Sequence, residues 1–205
     1  MPYQLSAESD AAFRVSLDLH SVCLTDDQFY RLSSDNPDLR LELSARGELI
    51  IMPPTYSETG WRGARITQRL ANWTEKDGTG LCFDSSTGFR LPNGAKRSPD
   101  ASWISRSRWE SLSDDERQKM ARICPDFVVE LRSATDTVGE LQDKMTEYLQ
   151  NGARLGWLLD PLEGHVYIYR PGRKAERIDD ARFLGGEDVL PGFLLDFQEI
   201  VRGPV

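Results

Sequence analysis

The pattern of hydrophobic and polar residues predicts a β-rich first half followed by a strand–helix–strand unit. An alternating stretch over residues 13–19 favours an edge strand or an arm that contacts a second copy. In the second half, a predicted buried strand over 125–132 precedes an amphipathic helix over about 139–151 and a buried strand over 155–159. This order predicts an α/β (α+β) protein, with a mixed β-sheet core flanked by helices and a β-rich N-terminal extension.

Local signals predict further helices. Thr25 and Gln28 form a capping-box pattern that begins a short helix over about 26–34. Ser57 is expected to cap a longer helix. A polar helical segment is expected over 107–122.

Strand signals and chain length predict the domain organisation. Residues 39–43 and 48–52 are expected to form a hairpin. The chain has 205 residues, enough for one domain with a sizeable core. We divide it into an N-terminal extension or oligomer arm over 1–24 and a single domain over 25–205.

Composition narrows the class of protein. The formal net charge of −8 argues against a general nucleic-acid coat, because such proteins carry a basic surface. No apolar run approaches the ~20 residues of a membrane span. The stretch from Met1 to Leu19 lacks the basic start and apolar core of a signal peptide. Three scattered cysteines form neither a disulfide framework nor a zinc motif. We therefore expect a cytoplasmic protein without a membrane partner.

Glu130 is the most informative residue, since it lies inside the predicted buried strand over 125–132, which is rich in apolar and β-branched residues. A carboxylate in a buried strand is costly unless it is paired. Because side chains alternate along a strand, Asp126, Glu130 and Arg132 share one face, which indicates a metal or catalytic site. A structural ion pair between Glu130 and Arg132 is the alternative, and the segment alone does not decide between them.

Three further residues point to the same chemistry, and each also has a simpler explanation. Asp100 follows Pro99 before an apolar strand and could reach a metal, although Pro and Asp are also turn residues. Lys144 lies within the apolar stripe of its helix and could face the same site, unless its ammonium extends to water. Glu58 is a candidate further acid, but acids favour helix N-termini in any case.

Together these residues are the parts of a metal-dependent phosphodiesterase. Hard carboxylate ligands select Mg²⁺ or Mn²⁺. A basic patch in the middle of the chain could contact phosphate, or could be a solvated loop; it comprises Arg90, Lys96, Arg97, Arg106 and Arg108. Lys96 and Arg97, just before Pro99 and Asp100, are the best candidates for binding the DNA backbone.

Five short segments carry a resemblance to a known family, in order and spacing rather than singly. They are Gly47 to Pro53, Ser98 to Asp100, Pro125 to Ser133, Lys144 with Tyr148, and Gly156 to Pro161. From about Thr25 to Ile200 the chain resembles the Uma-two family of restriction endonucleases, within the PD-(D/E)XK nuclease superfamily. The resemblance implies a restriction endonuclease-like fold in which Asp100 and Glu130 hold the metal.

Arg132 departs from the superfamily pattern, which places a lysine at this position. Arginine and lysine are not interchangeable. In some branches the following helix supplies the lysine instead, and Lys144 is similar to that arrangement. Gln142 and Tyr148 loosely resemble the glutamine and tyrosine of recombination-type nucleases.

The expected function is therefore that of a Mg²⁺-dependent endonuclease acting on DNA, with Asp100, Glu130, Lys144 and Glu58 as its site. A homodimer is expected, because cutting both strands commonly needs two sites. One alternative is a catalytically silent nuclease fold used as a binding or regulatory module, favoured by the acidic charge and Arg132. Another is a hydrolase of small phosphoesters, which would need a deep, closed pocket.

Overall fold

The strands and helices are described for residues 14–204 of a computed structural model. The strands are β1 Val15–Asp18, β2 Arg40–Leu43, β3 Glu48–Met52, β4 Gly80–Asp84, β5 Phe89–Arg90, β6 Lys96–Arg97, β7 Ala101–Ser105, β8 Phe127–Leu131, β9 Leu155–Asp160, β10 His165–Tyr169, β11 Glu176–Asp179, β12 Phe183–Gly185 and β13 Leu194–Asp196. The helices are α1 Asp26–Asp35, α2 Ser57–Asp77, α3 Arg106–Glu110, α4 Asp114–Arg117, α5 Val138–Gln150 and α6 Phe197–Arg202.

Two main sheets organise the fold. The larger has six strands in the order β11-β10-β9-β8-β7-β4, and the smaller has five in the order β1-β3-β2-β6-β5. In the larger sheet β8 and β9 are parallel, whereas the other neighbours are antiparallel. Strands β12 and β13 form a separate pair. The mixed sheet with flanking helices confirms the predicted fold class.

The β8–α5–β9 unit forms the centre of the larger sheet. Its strands are parallel, so the chain must cross over between them, and α5 makes that crossing. Gly156 on β9 allows α5 to approach closely, because a Cβ there would overlap Cε of Met145. The helix therefore packs against β9, and Lys144 and Tyr148 of the same helix reach Glu130 on the neighbouring strand β8.

Each face of β8 belongs to a different core cluster. Phe127, Val129 and Leu131 pack with residues of α2 and α6, including Leu70 and Phe197. On the opposite face, Val128 packs with Met145 and Tyr148 of α5. The alternation expected from the sequence is thus realised, with both faces buried.

Two local predictions are confirmed and two are wrong. Thr25 and Gln28 form the predicted capping box of α1. The predicted hairpin is present as β2 and β3, which pair in antiparallel fashion. Ser57 does not cap α2, because it is the first helical residue and the N-cap is Tyr56. The segment 107–122 is not one helix: α3 ends before Ser111, and Ser113 begins α4 with its own capping box.

The start of the described chain belongs to the smaller sheet. Strand β1 pairs with β3 and lies at the sheet edge, where Val15 and Leu17 are exposed. Phe13, which began the predicted alternating stretch, lies outside the described residues. The division into an arm over 1–24 and a domain over 25–205 stays a prediction. Among the described residues, no helix is both long and apolar enough to cross a membrane.

Candidate active site

A cleft of about 600 Å³ lies between the smaller sheet and helix α5. It brings together Glu42 of β2, Asp100, Glu130 of β8 and Lys144 of α5, and we call it the candidate cleft. Acidic side chains outnumber basic ones in its lining. Three residues far apart in sequence that were predicted to converge, Asp100, Glu130 and Lys144, thus line one cavity.

Strand β8 holds Glu130 in the middle of the larger sheet, facing α5. The side chain is buried, with 3% of the residue exposed. Its Oε1 accepts a hydrogen bond from the Tyr148 hydroxyl at 3.0 Å. The Lys144 ammonium lies 3.0 Å from Oε1 and 3.1 Å from Oε2. The carboxylate is therefore paired with α5, and the predicted alternative of a Glu130–Arg132 ion pair is not what the structure shows.

Lys144 is clamped between two sheets. Its Nζ lies 2.9 Å from Oε1 of Glu42 in the smaller sheet and 3.0 Å from Oε1 of Glu130 in the larger one. Only 13% of the side chain is exposed. The ammonium consequently faces the candidate cleft instead of extending to bulk water.

Asp100 is fixed to β8 by two hydrogen bonds. Its backbone N–H donates to the carbonyl of Val129 at 3.0 Å. Its Oδ2 accepts from the N–H of Leu131 at 2.8 Å. Because Val129 and Leu131 flank Glu130, these bonds hold Asp100 beside the strand position of Glu130. Oδ1 accepts no hydrogen bond from the described residues, so this oxygen remains available to a ligand.

The three carboxyl groups of the cleft differ in how far nearby cations offset the cost of burial. Burial, together with the nearby charges of Asp100 and Glu42, raises the pKa of Glu130 to about 8, against the opposing effect of Lys144. Burial also raises the pKa of Asp100, although Lys144 and the Leu131 N–H lower it. For Glu42, burial is outweighed by Lys144, Arg97 and the Ser98 N–H, so its pKa falls below the usual range.

Glu42 is a site residue that the sequence did not reveal. Leu41 and Leu43 are buried against Phe29, so alternation would place Glu42 on the solvent side of β2. Instead Glu42 is only 2% exposed, because α5 and its lysine cover that side. A glutamate between two core leucines is an ordinary strand pattern and gives no signal of this role.

Arg97 lies in the candidate cleft but is committed to two carboxylates. Its Nε bonds to Oε2 of Glu147 at 2.6 Å, and its NH1 lies 3.1 Å from Oε2 of Glu42. The guanidinium therefore braces Glu42 from the side opposite Lys144. It fixes the geometry of the cleft instead of standing free to meet phosphate.

Lys96 and the rest of the predicted basic patch are also held by internal contacts. Lys96 is 2% exposed, and its Nζ lies 2.9 Å from Asp26. The other three members bond to Asp26, the Gly78 carbonyl and Asp126: Arg90, Arg106 and Arg108. Each member of the predicted patch therefore contacts another part of the protein, and Lys96 and Arg97 are the two that are buried.

Glu58 and Arg132 take no part in the contacts of Lys144 with Glu42 and Glu130. Oε1 of Glu58 bonds to Arg62 at 2.7 Å, and Arg62 in turn bonds to the Ile200 carbonyl of α6. Arg132 bonds to Asp160 at 2.7 Å. Neither residue lines the candidate cleft. The structure thus does not bring Glu58 together with Asp100, Glu130 and Lys144.

The donor atoms of the cleft fit a hard divalent cation. Within residues 14–204, no group of three His, Cys, Asp or Glu side chains is arranged to hold a metal ion. Mg²⁺ needs only one or two carboxylates, however, because it keeps several waters. Asp100 and Glu130 supply such oxygens, and a carboxylate oxygen that accepts one hydrogen bond retains a second lone pair. Their raised pKa values mark a deficit of positive charge that a cation would fill.

Solved structures include one with a closely similar fold. It is described as a putative nuclease belonging to DUF820 from Anabaena variabilis ATCC 29413, with a TM-score of 0.73 and 20% identity over 87% of this chain and 98% of that one. At this identity the likeness supports the fold alone. A DrdV–DNA complex aligns with a TM-score of 0.37 and 14% identity, over 57% of this chain and 10% of that one, which is too low a similarity to indicate a shared fold.

Sequence comparison assigns the family. A search of curated proteins found no match. A family model described as Uma2, putative restriction endonuclease, matches residues 26–198. Because this match spans most of the chain, and the fold agrees with that of a DUF820 protein, the chain belongs to the Uma2 family.

Proposed function

We propose that this protein is a Mg²⁺-dependent endonuclease that hydrolyses DNA phosphodiester bonds in the candidate cleft. The observation that carries the proposal is the buried contact of Lys144 with Glu130, in a cleft that Asp100 also lines. Bringing three ionisable side chains together around a buried glutamate is costly unless they bind a ligand or stabilise one another. The family description, a restriction endonuclease, supports the same reaction class.

Asp100 and Glu130 would hold the metal, which when bound lowers the pKa of a water and neutralises charge on the scissile phosphate. The protein prepares both ligands. The Leu131 N–H orients Asp100, and the Tyr148 hydroxyl orients Glu130. Side chains fixed in this way lose little freedom on binding a substrate.

Lys144 would act as a cation and hydrogen-bond donor. Burial lowers its pKa, but Glu130 and Glu42 outweigh burial and hold the pKa above the usual range. The ammonium therefore stays protonated at neutral pH and cannot serve as a general base. From its position between the two glutamates it would stabilise negative charge that develops on phosphate.

A catalytically silent nuclease fold is the second candidate. Arg132, which occupies the usual lysine position, is bound to Asp160 and not to the cleft. Both oxygens of Glu130 already have protein partners, and the Lys144 ammonium offsets part of the negative charge of the cleft without a metal ion. Such a fold would bind a partner without cleaving it.

Plasmid nicking separates the two candidates. The native protein, Asp100→Ala and Lys144→Met are incubated with supercoiled DNA and Mn²⁺ at low salt, with Glu58→Gln as a matched acid outside the cleft. We expect nicking by the native protein and Glu58→Gln but not by the two cleft variants. Equal nicking in all four would indicate a contaminating nuclease. No nicking by the native protein would favour the silent fold.

A homodimer and a cytoplasmic location remain part of the proposal. The open edge of β1, with Val15 and Leu17 exposed, is a surface on which a second copy could pair. Light scattering after gel filtration would give the mass in solution. A monomer at all concentrations would remove the dimer from the proposal.

A further inference from the structure

A second groove lies on the outer side of α5, against the turn that joins β10 to β11. Its volume is about 600 Å³. Asp143, Thr146 and Gln150 of α5 line both this groove and the candidate cleft. The two cavities therefore adjoin across one helix.

The two cavities carry opposite charge. Acids predominate in the candidate cleft, whereas the second groove has one acidic lining residue, Asp143, and four basic ones. We call it the basic groove, after Arg170, Arg173, Lys174 and Arg177. Tyr167 and Tyr169 also line it, and the buried Tyr169 hydroxyl has no hydrogen-bond partner among the described residues.

Only two of the four cations are free. Arg170 pairs with Glu176 at 2.7 Å and with Glu187 at 2.6 Å, and Arg177 pairs with Asp179 at 2.8 Å. Arg173 and Lys174 are exposed and form no ion pair with residues of the described part of the chain. Their charges face solvent at the rim of the groove.

A tight turn presents these two cations. The Arg173 N–H donates to the Arg170 carbonyl at 3.2 Å, which closes a four-residue turn. Pro171 and Gly172 occupy its central positions, and Gly172 has a φ of +70°. This is the pattern of a type II turn, in which proline restricts the chain and glycine accepts the positive φ. The turn therefore fixes the backbone at Arg173, the residue before Lys174, at little entropic cost.

We propose that the basic groove binds the phosphate backbone of duplex DNA beside the proposed active site. This inference rests on the proposed nuclease function, and it identifies a surface for the polyanion that the acidic cleft lacks. Arg173 and Lys174 make the phosphate contacts. Such contacts position a protein on DNA without reading sequence. They replace Lys96 and Arg97, which the structure commits to internal ion pairs.

Metal-free DNA binding tests the groove separately from catalysis. Fluorescence anisotropy of a labelled duplex is measured in EDTA over a salt series for the native protein and for Arg173→Glu with Lys174→Glu. The control combines Arg31→Glu with Lys76→Glu, which makes the same charge change at two exposed residues outside both cavities. Thermal unfolding verifies that both variants fold.

We expect the groove variant to lose affinity by about tenfold or more and the control to lose much less. The slope of log affinity against log salt should fall by about 1.8, since each lost phosphate contact contributes about 0.9. Equal losses in the two variants would overturn the proposal, because only net charge would then matter. Native protein that does not bind the duplex in EDTA would also overturn it. So would equally tight binding of polyglutamate, which would indicate a surface for acidic proteins.

The groove and the proposed reaction can fail independently. Native protein that nicks plasmid with Mn²⁺ while the groove variant binds DNA normally would leave the nuclease function intact and remove the groove. Groove-dependent binding without any nicking would leave the groove and favour the silent fold.

Discussion

The two faces of strand β8, in the larger sheet, are both buried but have different kinds of contacts. On one face, Phe127, Val129 and Leu131 enter an apolar core formed with α2 and α6. On the other, Glu130 meets Lys144 and Tyr148 of α5. The residues of both faces are buried, but they are covered by different helices, and Glu130 lines the candidate cleft. Burial alone therefore does not identify a residue as purely structural. What a buried side chain can do depends on the residues of the helix that packs against it.

The apolar face should show the largest effect on stability. Phe127 is fully buried, and its ring packs edge-on against Trp157 with centroids 4.8 Å apart. Phe127→Ala should lower the free energy of unfolding by about 3–5 kcal/mol, through lost burial and the cavity that remains. Urea denaturation measures the change. Phe183→Ala, at a residue 48% exposed, is the matched control and should change little. A small loss at Phe127 would mean that this face is not the stabilising core.

Removing the contacts of Lys144 with Glu42 and Glu130, on the other face, should have the next largest effect on stability. Lys144→Met removes the cation and leaves Glu42 and Glu130 buried without it. We expect a loss of about 3 kcal/mol at pH 9, where most of the native Glu130 is ionised, since removing one partner of a buried ion pair leaves an uncompensated charge. Urea denaturation at pH 9 and pH 5 tests the cause. The loss should shrink at pH 5, where Glu130 is already protonated in the native protein and only Glu42 remains charged, and an unchanged loss would point to packing instead.

Neutralising Glu130 should have a smaller effect, of opposite sign. Its pKa is raised to about 8 in the folded protein, so the folded state holds this proton more tightly than the unfolded state does. Stability from this group is therefore present at pH values below the unfolded pKa and is lost as the pH rises through about 8. Glu130→Gln should leave the metal-free protein unchanged at pH 5 and stabilise it by up to about 2 kcal/mol at pH 9.

Thermal unfolding in EDTA at both pH values measures this difference. Glu42→Gln serves as the contrast, because the pKa of Glu42 is lowered, so that its charge is stabilising. That variant should be destabilised at pH 9. A Glu130→Gln protein that melts clearly below the native protein at pH 9 would show that the Glu130 charge is a structural ion pair.

Glu58→Gln should have the smallest effect. The Glu58 side chain is 58% exposed, and its pair with Arg62 is an i, i+4 contact on α2. Arg62, whose side chain is 8% exposed, keeps its hydrogen bonds to the carbonyls of Ile200 and Val201 when Glu58 is neutralised. Pairs with i, i+4 spacing on a helix contribute about 0.3–0.5 kcal/mol. Urea denaturation should show a change no larger than that, and plasmid nicking should not change. Loss of nicking would return Glu58 to the proposed site.

The sequence by itself predicted most of the local elements, although not the cap of α2 or the break between α3 and α4, and it singled out Glu130 and Lys144. Glu130 stands out because β8 is otherwise apolar, and Lys144 because it interrupts a helical stripe. These signals are local: strand alternation, helix periodicity and a capping box depend on neighbours within a few positions. They also predicted the mixed sheet, because strand–helix–strand order leaves few packing solutions.

Only the tertiary structure decided which charges meet. Glu42 contacts Lys144 and Glu147 contacts Arg97, although each pair comes from elements far apart in the chain. Lys96, predicted to contact DNA, is instead paired with Asp26. Whether a charged side chain faces solvent or a partner depends on what covers its element, and one sequence does not specify that locally. The same holds for Arg132, whose partner Asp160 comes from the neighbouring parallel strand. The sequence can show that a charged residue lies within an apolar segment. The role of that residue depends on the charge that packs against it, because only a partner in direct contact offsets the cost of desolvation.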